Sequence, residues 1–163
     1  IIHHTATSRD YTTFEAIEAG HKRRWSYFVS ELGYCCGYHY FIPANGVVKQ
    51  ARIDEEGGAH CILQNETSIG ICLTGNFQHE KPTQEQLDSL VELITRLRKK
   101  WNIPRDKVFG HRQKWATLCP GTNLMKFVDD YRQGDDEEET DTSVVKELLK
   151  AKDGEILKII DSI

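Results

Sequence analysis

The segment from Thr83 to Trp101 constrains the fold more than any other. Thr83 followed by Gln86 makes a capping box, each side chain satisfying a backbone amide of the other's residue. Leu87, Leu90, Val91, Ile94, Leu97 and Trp101 then fall on one stripe at helical spacing. The helix stops near Asn102-Ile103-Pro104. A helix with one apolar face has to bury it against another layer. The remaining apolar runs are short and strand-like. Ile69–Thr74 suits a strand buried on both faces. Ile1–His4 reads as a first strand. Tyr38–Ile42 and Val47–Ala51 read as a hairpin around Pro43-Ala44-Asn45-Gly46, since Asn-Gly tolerates positive φ. Lys107–Gly110 reads as a last short strand.

Thr12-Thr13 precedes a helix from about Phe14 to Trp25, with room to reach Leu32, and Asn123–Tyr131 is a final helix. Strands thus alternate with helices. The expected class is α/β: a single domain with a central mixed β-sheet flanked by helices, over residues 1–133. Residues 134–142 form an acidic linker around Asp135-Asp136-Glu137-Glu138-Glu139. Residues 143–163 carry short amphipathic patterns and are expected to form a helical tail, a candidate for self-association.

The 163 residues carry a net charge of −4, unevenly spread. Ten acids and four lysines lie after Gln133, leaving 15 acids and 17 bases before it. That slight basic excess gives no basis for nucleic-acid binding. No apolar run approaches the roughly 20 residues of a bilayer span, and no signal peptide is visible. The five cysteines (Cys35, Cys36, Cys61, Cys72, Cys119) do not read as a complete disulfide framework, and most are expected to be reduced and buried.

Seven histidines are present. His3 lies on the first strand. His111 comes where the strand ending at Gly110 stops. Cys119 follows eight residues later, just before Pro120-Gly121. Two imidazoles and a thiolate make a three-ligand zinc set that leaves a fourth position for water. The bland alternative has His3 at the edge of the core and Cys119 as a small buried hydrophobe. Strand alternation points His4 away from His3, so the two are not expected to share a metal. His21 sits beside Lys22, Arg23 and Arg24 and reads as part of a solvated helix face.

Seven segments, in order, resemble one family. They are Ile1-Ile2-His3-His4-Thr5-Ala6, Gly37-Tyr38-His39-Tyr40, Gly58-Ala59-His60, Asn65 with Ser68-Ile69-Gly70-Ile71, Gly75-Asn76-Phe77, Gly110-His111-Arg112 and Cys119-Pro120-Gly121. The family is the zinc amidases that include the T7-type phage lysozyme and the peptidoglycan recognition proteins. The resemblance implies Zn2+ held by His3, His111 and Cys119, and a catalytic Tyr38 beside the metal. It implies that His60 and Asn76 line the substrate groove. Thr117 falls where the phage enzyme has a catalytic lysine and where amidase-active recognition proteins commonly have threonine. Lys114, in the same loop, is a second candidate to assist.

The implied reaction is cleavage of the amide between the lactyl group of N-acetylmuramic acid and L-alanine in bacterial peptidoglycan. The alternative is a non-catalytic peptidoglycan-binding module. The expected place of action is the cell wall, periplasm or extracellular space, with a phage or prophage endolysin or a bacterial wall enzyme favoured over a secreted immune protein.

Overall fold

In the computed structural model, residues 1–134 are described. The expected acidic linker beyond Gly134 and the helical tail, with its self-association, lie outside them. Four short strands form the sheet: β1 (Ile2–His4), β2 (Tyr40–Ile42), β3 (Lys49–Gln50) and β4 (Ile71–Leu73). Their spatial order is β1-β4-β2-β3. β4 pairs in parallel with both β1 and β2, and β2 pairs antiparallel with β3, so the sheet is mixed as expected. Gly46 takes a φ of +75° in the turn that returns β2 into β3, which glycine adopts without strain.

The register decides which side chains share a face. Ile2, Ile71 and Tyr40 are aligned, as are His4, Leu73 and Ile42. This face packs against α2 (Gln84–Trp101) and α3 (Thr122–Gln133). Leu90, Leu93, Ile94 and Leu97 meet Leu124, Met125 and Val128 there in the main core. The other face aligns His3, Cys72 and Phe41 and packs against Phe14 of α1 (Phe14–Arg24).

α2 carries the expected capping box, and its buried stripe is rotated slightly from the expected one. Leu93 is buried, whereas Val91 and Trp101 lie more than a third exposed. The Trp101 indole donates instead to Asp54 at 3.0 Å. Gln86 does more than cap. Its Oε1 accepts from the Thr83 amide, and its Nε2 donates to the carbonyls of Ile42 (3.2 Å) and Thr74 (2.9 Å), where β2 and β4 end. Replacing Gln86 with leucine takes this partner from the buried Ile42 and Thr74 carbonyls and from the part-buried Thr83 amide. The expected loss is about 2–4 kcal/mol of stability, read as a lower urea midpoint at unchanged slope.

α1 matches the expected Phe14–Trp25 to within a residue and does not extend to Leu32, because Ser30 donates its hydroxyl to the Ala51 carbonyl and ties that stretch to the sheet side. One expectation fails. Residues 107–110 form no regular strand. Pro104 opens a 3-10 turn over Arg105–Lys107, and only Gly110 bridges to Ile2, with the Ile2 amide on the Phe109 carbonyl at 2.7 Å.

Candidate functional site

His3 is 1% exposed, on the face that carries Cys72 and Phe41. His4 is turned to the opposite side, where its Nδ1 accepts from the Phe77 amide at 3.2 Å. Alternation therefore separates the two as expected. Beyond the Gly110 bridge the chain turns through a 3-10 element, His111–Gln113. The Arg112 amide then donates to the Cys119 carbonyl at 2.8 Å, closing the intervening loop so that Cys119 returns beside His111. Gly121 follows with a φ of +88°, and its position against the Phe77–Gln78 backbone leaves no room for a Cβ.

The result is a cluster of His3, His111 and Cys119 whose ligand atoms all lie within 4.8 Å of one another. Cys119 Sγ is 3.7 Å from His3 Nδ1, and the His3 and His111 rings are 4.5 Å apart. The His4 amide donates to Cys119 Sγ at 3.4 Å. Burial, then the neighbouring His60 and His111, holds the His3 ring well below its ordinary pKa, and burial lowers His111 too. Both are neutral imidazoles at pH 7, each with a lone pair to offer. Burial pushes the Cys119 thiol up to about 11, so it ionises only beside a cation.

The phenol ring of Tyr38 lies 5.2 Å from the His3 ring. Burial, with the Cys72 and Cys119 thiols next, pushes its pKa well above the ordinary value, so it remains a hydrogen-bond donor at neutral pH. A local distortion of the strand aims it here. The amides of His39 and Tyr40 both donate to the Gly70 carbonyl (2.9 and 3.1 Å), and those of Ala51 and Arg52 both donate to the His39 carbonyl (2.8 and 3.3 Å). Such a bulge re-aims the preceding side chain.

The other expected site residues divide. Thr117 Oγ1 accepts from the Cys119 amide at 3.2 Å, which holds the ligand loop. His60 stands against His3, with His60 Nδ1 3.1 Å from His3 Nε2 and His60 Nε2 3.3 Å from the Ser68 carbonyl. It is 8% exposed with both ring nitrogens engaged. Asn76 forms a turn: its Oδ1 accepts from the Gln78 amide, and its carbonyl accepts from His79 and Glu80. Lys114 lays its ammonium over the Phe109 ring at 3.6 Å. His21 is not solvated as expected. Its Nδ1 accepts from the Gly37 amide at 3.0 Å, and its ring lies 5.5 Å from Tyr38. The spacing Phe14, Ile17, Glu18, His21 marks it as inward-facing, a signal that the adjacent basic run masks.

Burial keeps the rings of His4 and His60 neutral to a pKa of about 4 and about 3, against an ordinary 6.5. The unfolded chain therefore binds more protons below pH 6.5. The stability these rings contribute is complete above that value and is lost as pH falls toward 4. Each such ring costs about 1.4 kcal/mol per pH unit in that window. A lower urea midpoint at pH 5 than at pH 7.5, in metal-free protein, is the expected result; equal midpoints would contradict it.

The sequence profile of the N-acetylmuramoyl-L-alanine amidase family matches residues 1–122. The chain belongs to this family. Among curated relatives, peptidoglycan-recognition protein SD of Drosophila simulans is 38% identical over 93 residues, covering 56% of the chain and 50% of that protein. The chain thus spans about half the length of that relative. Among solved structures, the endolysin N-acetylmuramoyl-L-alanine amidase LysCS from Clostridium intestinale URNW superposes on this chain with a TM-score of 0.67 and 29% identity, covering 79% and 78% of the two chains. A mutant of Drosophila PGRP-LB in complex with tracheal cytotoxin superposes at 0.64 and 26% identity, covering 78% and 77%. The mixed sheet and flanking helices are therefore those of this family, and its members' business is peptidoglycan.

Proposed function

We propose that this protein binds Zn2+ through His3, His111 and Cys119 and hydrolyses the amide between the lactyl group of N-acetylmuramic acid and L-alanine. The convergence of those three side chains carries the reading. Ligand atoms around a tetrahedral zinc lie about 3.3–3.8 Å apart, given bonds of roughly 2.0–2.3 Å. The 3.7 Å between Cys119 Sγ and His3 Nδ1 fits that spacing. Two neutral imidazoles and one thiol that ionises only beside a cation also suit a borderline-soft dication better than Mg2+ or Ca2+.

When bound, the metal supplies polarisation of the amide carbonyl and a lowered pKa for attacking water. The chain's own residues do the rest. Tyr38 donates its phenolic hydrogen bond to the oxygen that gains negative charge as the carbonyl is attacked. Thr117 anchors the Cys119 amide, and its own hydroxyl hydrogen is left free to donate to substrate. The His4 amide stabilises the Cys119 thiolate. Asn76 shapes the turn beyond β4 and is the proposed groove contact.

A named relative that is a recognition protein favours a second reading, a sensor that binds the wall without cutting it. The intact donor set and the phenol beside it support the enzyme. The place of action is the bacterial wall, and no described helix is long and apolar enough to cross a membrane. Mass spectrometry of a defined muropeptide after incubation decides between the readings. The enzyme yields free peptide with an L-alanine amino terminus and an intact glycan. Bound but uncut muropeptide indicates the sensor.

A further inference from the structure

The His60 ring occupies a slot made for it. Asn65 Oδ1 accepts from both the His60 and Cys61 amides at 2.8 Å, which fixes the backbone that carries the ring. Gly58 and Gly70 line the slot, and a Cβ on either would come within 2.4 or 2.6 Å of the ring. His39 stands edge-on at 5.6 Å, itself held by the Glu56 carbonyl and the Gly70 amide. So enclosed, the ring offers nothing to a large polymer. Its two nitrogens meet the Ser68 carbonyl and His3.

We propose that His60 is a positioning residue: it holds His3 in the tautomer that directs the Nδ1 lone pair at the metal. The chain of reasoning starts from one carbonyl. The Ser68 oxygen only accepts, so His60 Nε2, 3.3 Å away, carries the hydrogen. A neutral His60 then presents its lone pair at Nδ1. His3 Nε2 lies 3.1 Å from that lone pair and must donate to it. His3 therefore carries its single hydrogen on Nε2, leaving Nδ1 bare, 3.7 Å from Cys119 Sγ. A metal-binding imidazole is oriented by the acceptor on its other nitrogen. Here that acceptor is a second imidazole, with a backbone carbonyl behind it.

The inference rests on the reading of His3 as a zinc ligand, and its test separates the two. In metal-free wild-type protein labelled with 15N-histidine, two-bond 15N–1H couplings are expected to show His3 protonated on Nε2. Protonation on Nδ1 would overturn the proposal whatever the zinc affinity. Zinc affinity is then measured by chelator competition for three chains. His60→Leu, checked for native circular dichroism, is expected to weaken binding about 10–100-fold. His60→Asn, whose Oδ1 can take the place of Nδ1 as acceptor, is expected to recover most of that loss. A folded leucine variant with wild-type affinity overturns the proposal, as does an asparagine variant no better than leucine. Wild-type protein that takes up no zinc refutes the ligand set instead, and the tautomer then decides the His60 assignment alone.

Discussion

Cys119→Ser is expected to remove zinc binding and wall hydrolysis together, with turnover falling more than about 1000-fold. The sulfur is the only soft donor of the three converging ligands and lies 3.7 Å from His3 Nδ1. Its ionisation is prepared by the His4 amide and otherwise opposed by burial. A serine hydroxyl in the same place does not ionise and binds zinc poorly. Serine is nearly the same size and can still accept from the His4 amide, so the fold should survive. Muropeptide binding is expected to persist, since the role proposed for the thiol is to hold the metal. Calorimetric zinc titration and product release, measured on the same sample, check both halves. Retained hydrolysis in a zinc-free serine variant would remove the metal from the mechanism.

Tyr38→Phe is expected to lower turnover about 100-fold, or roughly 3 kcal/mol of transition-state stabilisation, while zinc affinity is unchanged. The ring stays beside His3, so packing is preserved, and only the donor is lost. In the metal-free protein burial holds the phenol well above its ordinary pKa, so it carries its proton at neutral pH. A phenylalanine variant with full turnover would assign Tyr38 to packing. One that loses zinc as well would place it in the metal site.

Much of this was legible along the chain, for reasons that can be named. The capping box at Thr83 and Gln86 is local chemistry, and it forms where the pattern puts it. Asn45-Gly46 turns β2 into β3 because positive φ is required there. Alternation separates His3 from His4 because β1 is regular. The same rule fails for Tyr38. In an undistorted strand Tyr38 would share the core face with Tyr40 and Ile42, and only the doubled use of the Gly70 and His39 carbonyls turns it toward His3. A distortion of that kind depends on neighbouring strands and leaves no period in the sequence. His60 was singled out as a groove residue, but its contact with His3 was hidden for a related reason. It lies in a loop, so no period describes it, and its slot is built from Gly58, Asn65, Ser68 and Gly70 through tertiary contacts. His21 was readable, but the basic residues after it outweighed the inward spacing before it.

Zinc-dependent release of peptide is the most direct measurement of the whole account. Protein stripped by a chelator is titrated with Zn2+ against purified bacterial walls, and new L-alanine amino termini are counted alongside new reducing sugars. The expected result is no release from stripped protein, release that saturates at one zinc per chain, and no new reducing ends. Undiminished release from stripped protein, or the appearance of reducing ends, would contradict it.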